Sequence, residues 1–214
     1  MKKILIAVPC MDMVSARFAQ SLATLKKSEH HCIVSFLIGS LVYDSRNNLA
    51  SYAMEIEADY ILWLDSDMTF EADCLERMLK VLDEHEDIDI LTGLYFRRVA
   101  PFTPVLFSKL EEKDGVLEWE GFDENIPDEP FEVAGCGFGG VLMKTDCLYT
   151  IAADEGGAWF TPMVNAGEDC AFCIRARKKG HRIYCDPSIE FGHMGYAAVT
   201  RNFYESFKGA KEND

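Results

Sequence analysis

The feature that most constrains the fold is a regular alternation of apolar runs and amphipathic segments over the first 94 residues. The apolar runs predict strands that are buried on both faces, at residues 3–8, 32–38, 60–64 and 88–94. The segments between them carry apolar residues at helical spacing and predict helices, at residues 14–27, 45–57 and 71–84. This order predicts an α/β fold, with a mostly parallel central sheet and helices on both faces. Right-handed crossovers place the strand carboxyl ends along one edge, where such sheets bind ligands.

The second half of the chain has a less regular pattern. Short strands are predicted at residues 105–107, 116–119, 182–185 and 189–193, and helices at residues 146–153 and 167–179, with Gly180 at the end of the second helix. A glycine cluster covers residues 135–140, and we interpret it as backbone that approaches a ligand closely. No repeat and no linker divides the chain, so the sequence predicts one domain over residues 1–214 with a smaller mixed second half.

Charge and cysteine content indicate which partners and which location are expected of this protein. Asp and Glu number 36 against 21 Lys and Arg, which gives a net charge of −15. So acidic a chain disfavours nucleic acid and anionic membranes as partners, without excluding a local basic pocket. The eight cysteines are scattered, and we interpret them as reduced thiols of a cytoplasmic protein. The apolar runs are too short to form a transmembrane segment.

The triplet Asp65-Ser66-Asp67 follows the third apolar run directly. Two carboxylates at the end of a buried strand cost desolvation and repulsion unless a cation compensates them. Oxygen ligands at such a place suit Mg²⁺ or Mn²⁺, which keep coordination positions open for the oxygens of a diphosphate. The alternative interpretation is a tight turn in which Asp67 caps the next element.

Other polar residues are predicted near the same edge. Arg46 begins the second predicted helix, where it is placed to meet a phosphate or the base and ribose of a nucleotide; a solvated arginine is the alternative. Glu168 and Asp169 begin a later helix, where acidic residues complement the helix dipole. Alternatively, Asp169 is a general base that deprotonates an acceptor hydroxyl, with Glu168 beside it. His193 lies between glycines at the end of the last strand, either as a structural residue or as a ligand of a metal on Asp67.

These residues together resemble a known family. The pattern consists of Arg46-Asn47, an apolar run ending in Asp65-Ser66-Asp67, the segment 139–143, and Gly167-Glu168-Asp169. It resembles glycosyltransferases of the GT-A fold, and in particular the large inverting family with a D-x-D and an E-D motif, over residues 3–193. The resemblance implies a hexosyltransferase-like enzyme of class EC 2.4. Its donor would be a nucleotide-diphospho-sugar, most often a UDP-sugar, its cofactor Mn²⁺ or Mg²⁺, and its acceptor a glycan, a protein or a small molecule.

The resemblance also assigns roles to individual residues. It implies that Asp65, Asp67 and His193 hold the cation and that Asp169 is the base, with Glu168 as its neighbour. It assigns donor binding to Pro9, Cys10, Asp44, Arg46, Asp65 and Ser66. It divides the chain into a nucleotide-binding half (1–94), an acceptor and catalytic half (95–195), and a tail or lid (196–214).

The sequence departs from the family pattern after the first two strands. Residues 8–12 replace a Thr-Tyr-Asn-like run, and residues 39–41 lack the acidic residue that often contacts uracil, so Asp44 is the candidate replacement. Two other functions stay open: a nucleotidyltransferase, which would need a basic glycine-rich loop at residues 8–12, and a non-catalytic nucleotide-sugar-binding protein. Arg97 and Arg98 are candidates for binding a diphosphate or an anionic acceptor, with a solvated pair as the alternative. The oligomeric state, including a homo-oligomer, is left open.

Overall fold

A computed structural model describes residues 1–113, 115–122, 125–195 and 198–211. The strands are β1 (Lys3–Cys10), β2 (His31–Ile38), β3 (Tyr60–Leu64), β4 (Met68–Phe70), β5 (Ile90–Leu94), β6 (Leu106–Lys113), β7 (Val116–Gly121), β8 (Phe131–Glu132), β9 (Gly135–Cys136), β10 (Gly140–Lys144), β11 (Ile183–Met194) and β12 (Ala198–Val199). The helices are α1 (Ala16–Thr24), α2 (Val42–Glu55), α3 (Cys74–Glu84), α4 (Asp146–Glu155), α5 (Glu168–Lys178) and α6 (Arg201–Lys211).

The central sheet has the strand order β12-β11-β5-β10-β3-β1-β2, and β4 and β8 also pair with β11. Strand β1 is parallel to β2 and β3, and β5 is parallel to β11. Strand β10 lies antiparallel between β3 and β5. A second, smaller sheet has the order β7-β6-β9 and is antiparallel. The mixed α/β class with a mostly parallel central sheet is therefore confirmed.

Helices cover both faces of the central sheet. Successive residues of β1 alternate between two hydrophobic clusters, because side chains along a strand point to opposite faces. One cluster includes residues of α2, α4 and α5, and the other includes residues of α1 and α3. The apolar stripe of α3 predicted from the sequence is buried in the second cluster, from Leu75 to Leu82. None of the described helices combines the length and the apolar character needed to cross a bilayer.

Several predicted elements differ from the structure. Strand β2 lies at the sheet edge with its residues exposed or half-buried, so it is not buried on both faces. Strand β10 was not predicted, and the two strands predicted at residues 182–185 and 189–193 are one strand, β11, with a register shift between Asp186 and Glu190. Gly180 does follow the end of α5 and adopts a φ of +88°. The predicted tail contains β12 and α6, and its residues 196, 197 and 212–214 lie outside the described residues.

The glycine cluster contacts protein side chains. All of residues 135–140 are buried, and none of them lines the cleft described below. A Cβ atom on Gly137 would lie 2.1 Å from Tyr95 Oη, and one on Gly140 would lie 2.8 Å from the ring of Phe191. The interpretation of this cluster as backbone facing a ligand is therefore wrong for this cleft, since Gly137 and Gly140 leave room for neighbouring aromatic rings and Gly135 leaves room for Leu110.

Candidate active site

A cleft of about 410 Å³ lies at the carboxyl edge of the central sheet. Strands β1, β2, β3, β5 and β11 run in one direction, so their carboxyl ends meet at this edge. The antiparallel strand β10 begins there, which brings Phe138 and Gly139 to the same place. The cleft is lined by Pro9, Cys10, Met11, Ser40, Val42, Ser45, Arg46, Asp65, Ser66, Asp67, Arg98, Glu168, Asp169 and His193.

The structure brings together all the predicted site residues except Asp44. Asp44 is half-buried in the first turn of α2 and does not line the cleft. Arg98 lines the cleft, whereas its neighbour Arg97 does not. Sequence reasoning missed the roles of two backbone groups, the N–H of Phe138 and the carbonyl of Phe96, which are described below. Backbone groups leave no trace in residue type, so no sequence signal could have found them.

Arg46 lies beneath the cleft and links its two acidic motifs. Only 1% of its side chain is exposed, and its Nη2 donates to Asp65 Oδ1 at 3.0 Å. Its Nε lies 3.4 Å from Asp169 Oδ1 and 3.7 Å from Glu168 Oε1. Burial disfavours the charge, but these three carboxylates outweigh burial and raise the pKa of Arg46 above its usual value.

The position of Arg46 differs from the sequence-based expectation. Helix α2 begins at Val42, so Arg46 lies more than one turn inside the helix and not at its start. Its guanidinium is also within 6 Å of three aromatic rings, at 5.9 Å from Trp63, 5.6 Å from Phe138 and 5.9 Å from Phe160. Arg46 therefore faces carboxylates and aromatic rings of its own chain, where the sequence predicted an incoming phosphate.

Asp169 is the carboxylate with the most perturbed environment in the cleft. Its Oδ2 accepts a hydrogen bond from the Phe138 N–H at 3.2 Å, and its Oδ1 is buried with no hydrogen-bond partner within the described parts of the chain. The pKa of Asp169 is raised to about 7, mainly by burial and further by Glu168 and Asp65, while Arg46 lowers it. A carboxylate that titrates near neutral pH is suited to accept a proton.

Asp67 and His193 face each other across the cleft. Asp67 Oδ2 lies 3.5 Å from His193 Nε2 and 2.6 Å from Arg98 Nη1. Burial opposes ionisation of Asp67, but His193 and Arg98 outweigh burial and lower its pKa. His193 Nδ1 lies 2.9 Å from the Phe96 carbonyl oxygen, so this nitrogen is the donor. Burial opposes protonation of His193, but Asp67 outweighs burial and raises the pKa of His193. Once the Nε2 proton is lost, the lone pair on Nε2 points to Asp67, as in metal-binding histidines that donate from the other ring nitrogen.

Two of the three predicted cation ligands fit a divalent ion. Adjacent ligands of an ion with bonds of about 2.1 Å lie roughly 3 Å apart, and Asp67 Oδ2 and His193 Nε2 are 3.5 Å apart. Asp65 Oδ1 instead accepts a hydrogen bond from Arg46. Accordingly, no group of three or more His, Cys, Asp or Glu side chains in the described ranges is arranged to hold an ion. An ion on Asp67 and His193 would take its remaining ligands from substrate and water.

Comparison with known proteins identifies the family and supports the fold. A family model described as "Glycosyl transferase family 2" matches residues 17–142, more than half of the chain. The chain therefore belongs to glycosyl transferase family 2, and its class is glycosyltransferase. The matched segment contains Arg46 and Asp65-Ser66-Asp67, while Asp169 and His193 lie beyond it. No curated protein sequence matches the chain significantly.

Solved structures show the same GT-A fold. The crystal structure of A197 from STIV matches with a TM-score of 0.63 and 20% identity, over 91% of this chain and 86% of that chain. GalNAc-T7, solved with UDP, GalNAc and Mn²⁺, matches with a TM-score of 0.61 and 9% identity, over 91% of this chain. The match spans only 44% of the GalNAc-T7 chain. At these identities the likeness establishes the fold.

Proposed function

We propose that this chain transfers a hexose from a nucleotide-diphospho-sugar, a UDP-sugar being the first candidate, to an acceptor hydroxyl with inversion. The observation that carries the proposal is the convergence in one cleft of the Asp67–His193 pair and the buried carboxylate of Asp169. Mn²⁺ is the favoured cation, because a pair of one carboxylate and one imidazole suits it better than Mg²⁺. GalNAc-T7, which shares the fold, was solved with UDP and Mn²⁺.

The residues of the cleft divide the work between donor and acceptor. Asp67 and His193 would hold the cation, which would supply positive charge to the leaving diphosphate. Pro9, Cys10, Ser66 and the neighbouring part of the cleft wall would bind the nucleotide. Asp169 would take the proton of the acceptor hydroxyl as that oxygen attacks the anomeric carbon from the face opposite the diphosphate, which inverts the configuration.

The positions of Arg46 and Glu168 support this division. Arg46 is fixed by Asp65 on one side and by Asp169 and Glu168 on the other, so it holds the base at a set distance from the donor-binding motif. Glu168 adds negative charge next to Asp169 and contributes to the raised pKa of the base. Acceptors of the glycan, protein and small-molecule classes, a cytoplasmic location and a domain spanning residues 1–214 remain part of the proposal.

A thermal-shift panel tests donor and cation binding together. Nucleoside diphosphates and their sugars are added with and without Mn²⁺ to the wild type, to Asp67→Asn and to the control Asp73→Asn, which removes the carboxylate that immediately precedes α3, outside the cleft. A ligand at about 100 times its Kd adds roughly 2.7 kcal/mol, which raises the melting temperature of a chain this size by roughly 5–11 °C. We expect a Mn²⁺-dependent shift with one nucleotide in the wild type and the control, and none in Asp67→Asn.

Two outcomes would contradict the proposal. If none of the nucleotides raises the melting temperature of the wild type, the cleft does not bind a nucleotide donor. If Asp67→Asn shows the same increase as the wild type, Asp67 is not part of the cation site. Product analysis then separates the reaction classes. Release of a nucleoside diphosphate with the free or transferred sugar supports glycosyl transfer, whereas release of inorganic diphosphate indicates nucleotidyl transfer.

A further inference from the structure

Arg98 is the exposed cation of the cleft. Arg98 belongs to the loop that follows β5. The two sides of this loop are joined by a β-bridge between Phe96 and Pro104 and by a hydrogen bond of 2.9 Å from the Arg97 N–H to the Thr103 carbonyl. The Arg98 side chain is 52% exposed, and its Nη1 lies 2.6 Å from Asp67 Oδ2. An ion pair of this length has favourable hydrogen-bond geometry. Because the arginine is half-exposed, solvent weakens the pair, and another ligand can replace either partner.

Arg98 contacts the oxygen that a divalent ion would need. Asp67 Oδ2 is also the atom nearest His193 Nε2, at 3.5 Å. A guanidinium and a divalent cation on one carboxylate oxygen would repel each other at close range. An ion that binds this oxygen would therefore weaken the contact between Arg98 and Asp67.

Of the two arginines among the described lining residues, Arg98 is the one that an incoming ligand can reach. Among its lining residues, Asp65, Asp67, Glu168 and Asp169 face two arginines, Arg46 and Arg98. Arg46 is buried and surrounded by Asp65, Glu168 and Asp169, so it cannot move to a ligand. An arginine released from Asp67 next to these carboxylates would be drawn to an incoming polyanion, and a guanidinium matches phosphate oxygens in a two-pronged geometry.

We propose that Arg98 is a displaceable counter-ion: it neutralises Asp67 in the donor-free protein, yields Asp67 to the divalent cation, and then binds the donor's diphosphate. The inference deepens the proposed function and rests on it. It makes cation and nucleotide binding mutually dependent. The cation releases Arg98 to bind the diphosphate, and the diphosphate replaces Asp67 as the anionic partner of Arg98. In this scheme Arg98 weakens the binding of the cation alone and strengthens the binding of the nucleotide that follows.

Two binding measurements on Arg98→Gln test this scheme. Free Mn²⁺ is followed by electron paramagnetic resonance without nucleotide, and UDP binding is followed by calorimetry at saturating Mn²⁺. We expect Arg98→Gln to bind Mn²⁺ alone about fivefold more tightly, since the competing partly exposed ion pair is gone. We expect it to bind UDP roughly tenfold more weakly, which is typical of a lost hydrogen bond between charged groups.

Arg97→Gln is the matched control, because it removes the same charge from the same loop at a residue that does not line the cleft. Both of its affinities should stay within about twofold of the wild type if contact, and not net charge, is responsible. If the wild type binds Mn²⁺ and UDP but Arg98→Gln changes neither affinity, this inference is overturned and the proposed function stands. An increase in Mn²⁺ affinity without a loss of UDP affinity also overturns it. A wild type that binds neither ligand overturns both.

Discussion

At the scale of single residues, Asp169 shows how burial brings the pKa of an aspartate close to neutral pH. Its carboxylate is held by the Phe138 N–H, and burial raises its pKa to about 7. A base must be ionised to accept a proton, so we expect the transfer rate to rise as the pH increases through about 7 and to level off above it. Asp169→Asn keeps the shape of the side chain and removes the base, and it should lower kcat by about 10²–10⁴-fold.

The measurement is steady-state transfer from the preferred donor between pH 5.5 and 9. Asp169→Asn should lose both the activity and the step near pH 7, while the control Asp73→Asn keeps both. Thermal shifts with nucleotide and Mn²⁺ should be retained in Asp169→Asn, because the proposed donor-binding residues are unchanged. Transfer by Asp169→Asn within about twofold of the wild type would remove this residue from the base position.

Residue types alone identified most of the candidate site, because carboxylates that follow a buried strand, or a histidine between glycines, are unusual enough to stand out. The contacts between these residues could not be predicted from the sequence. Arg46 and Asp169 are far apart in the chain, and only the pairing of β10 between β3 and β5 brings Phe138 and the start of α5 over Arg46. The same limit applies to Arg98, whose neighbour Arg97 has the same side chain in the same loop but does not line the cleft.

At the scale of secondary structure, strand β10 is an element that the sequence pattern did not predict. The strands in the first half were predicted from continuous apolar runs, and β3 has the predicted bounds. Residues 141–143 of β10 are apolar too, but the glycines before them were interpreted as part of a ligand-binding loop. Glycines in a strand often mark a close approach of neighbouring groups, and here those groups are the rings of Tyr95 and Phe191.

Gly137 provides a test of that packing. In Gly137→Ala the new Cβ would lie 2.1 Å from Tyr95 Oη and 2.8 Å from Val105 Cγ1, so side chains or backbone must shift. We expect a loss of about 1–3 kcal/mol in the free energy of unfolding, as for other overpacked cores. Urea unfolding measures the change. Gly167→Ala is the control, since no atom lies within 4 Å of its added Cβ. Equal stability of the two variants would show that Tyr95 yields without cost.

At the scale of the whole molecule, the two functional halves predicted from the sequence share one sheet. Strand β10 of the second half lies between β3 and β5 of the first half, and β5 is also paired with β11. The cleft takes Asp67 from the first half and Asp169 and His193 from the second. The sequence predicted the edge where these residues meet, because that follows from parallel strands, but it contained no local signal for the strand order.

This interleaving predicts that neither half folds without the other. A fragment of residues 1–94 would keep β1 paired with β2 and β3, but β5 would lose both of its neighbours, β10 and β11. Ile90, Leu91 and Leu94, all fully buried in the complete chain, would then face water.

Far-UV circular dichroism on heating should show one cooperative transition for the full chain and none for residues 1–94 alone. Co-expression of residues 1–94 with residues 95–214 should restore the transition and the Mn²⁺-dependent nucleotide shift. A cooperative transition in the 1–94 fragment near the melting temperature of the full chain would show instead that the nucleotide-binding half is an independent folding unit, which the strand order argues against.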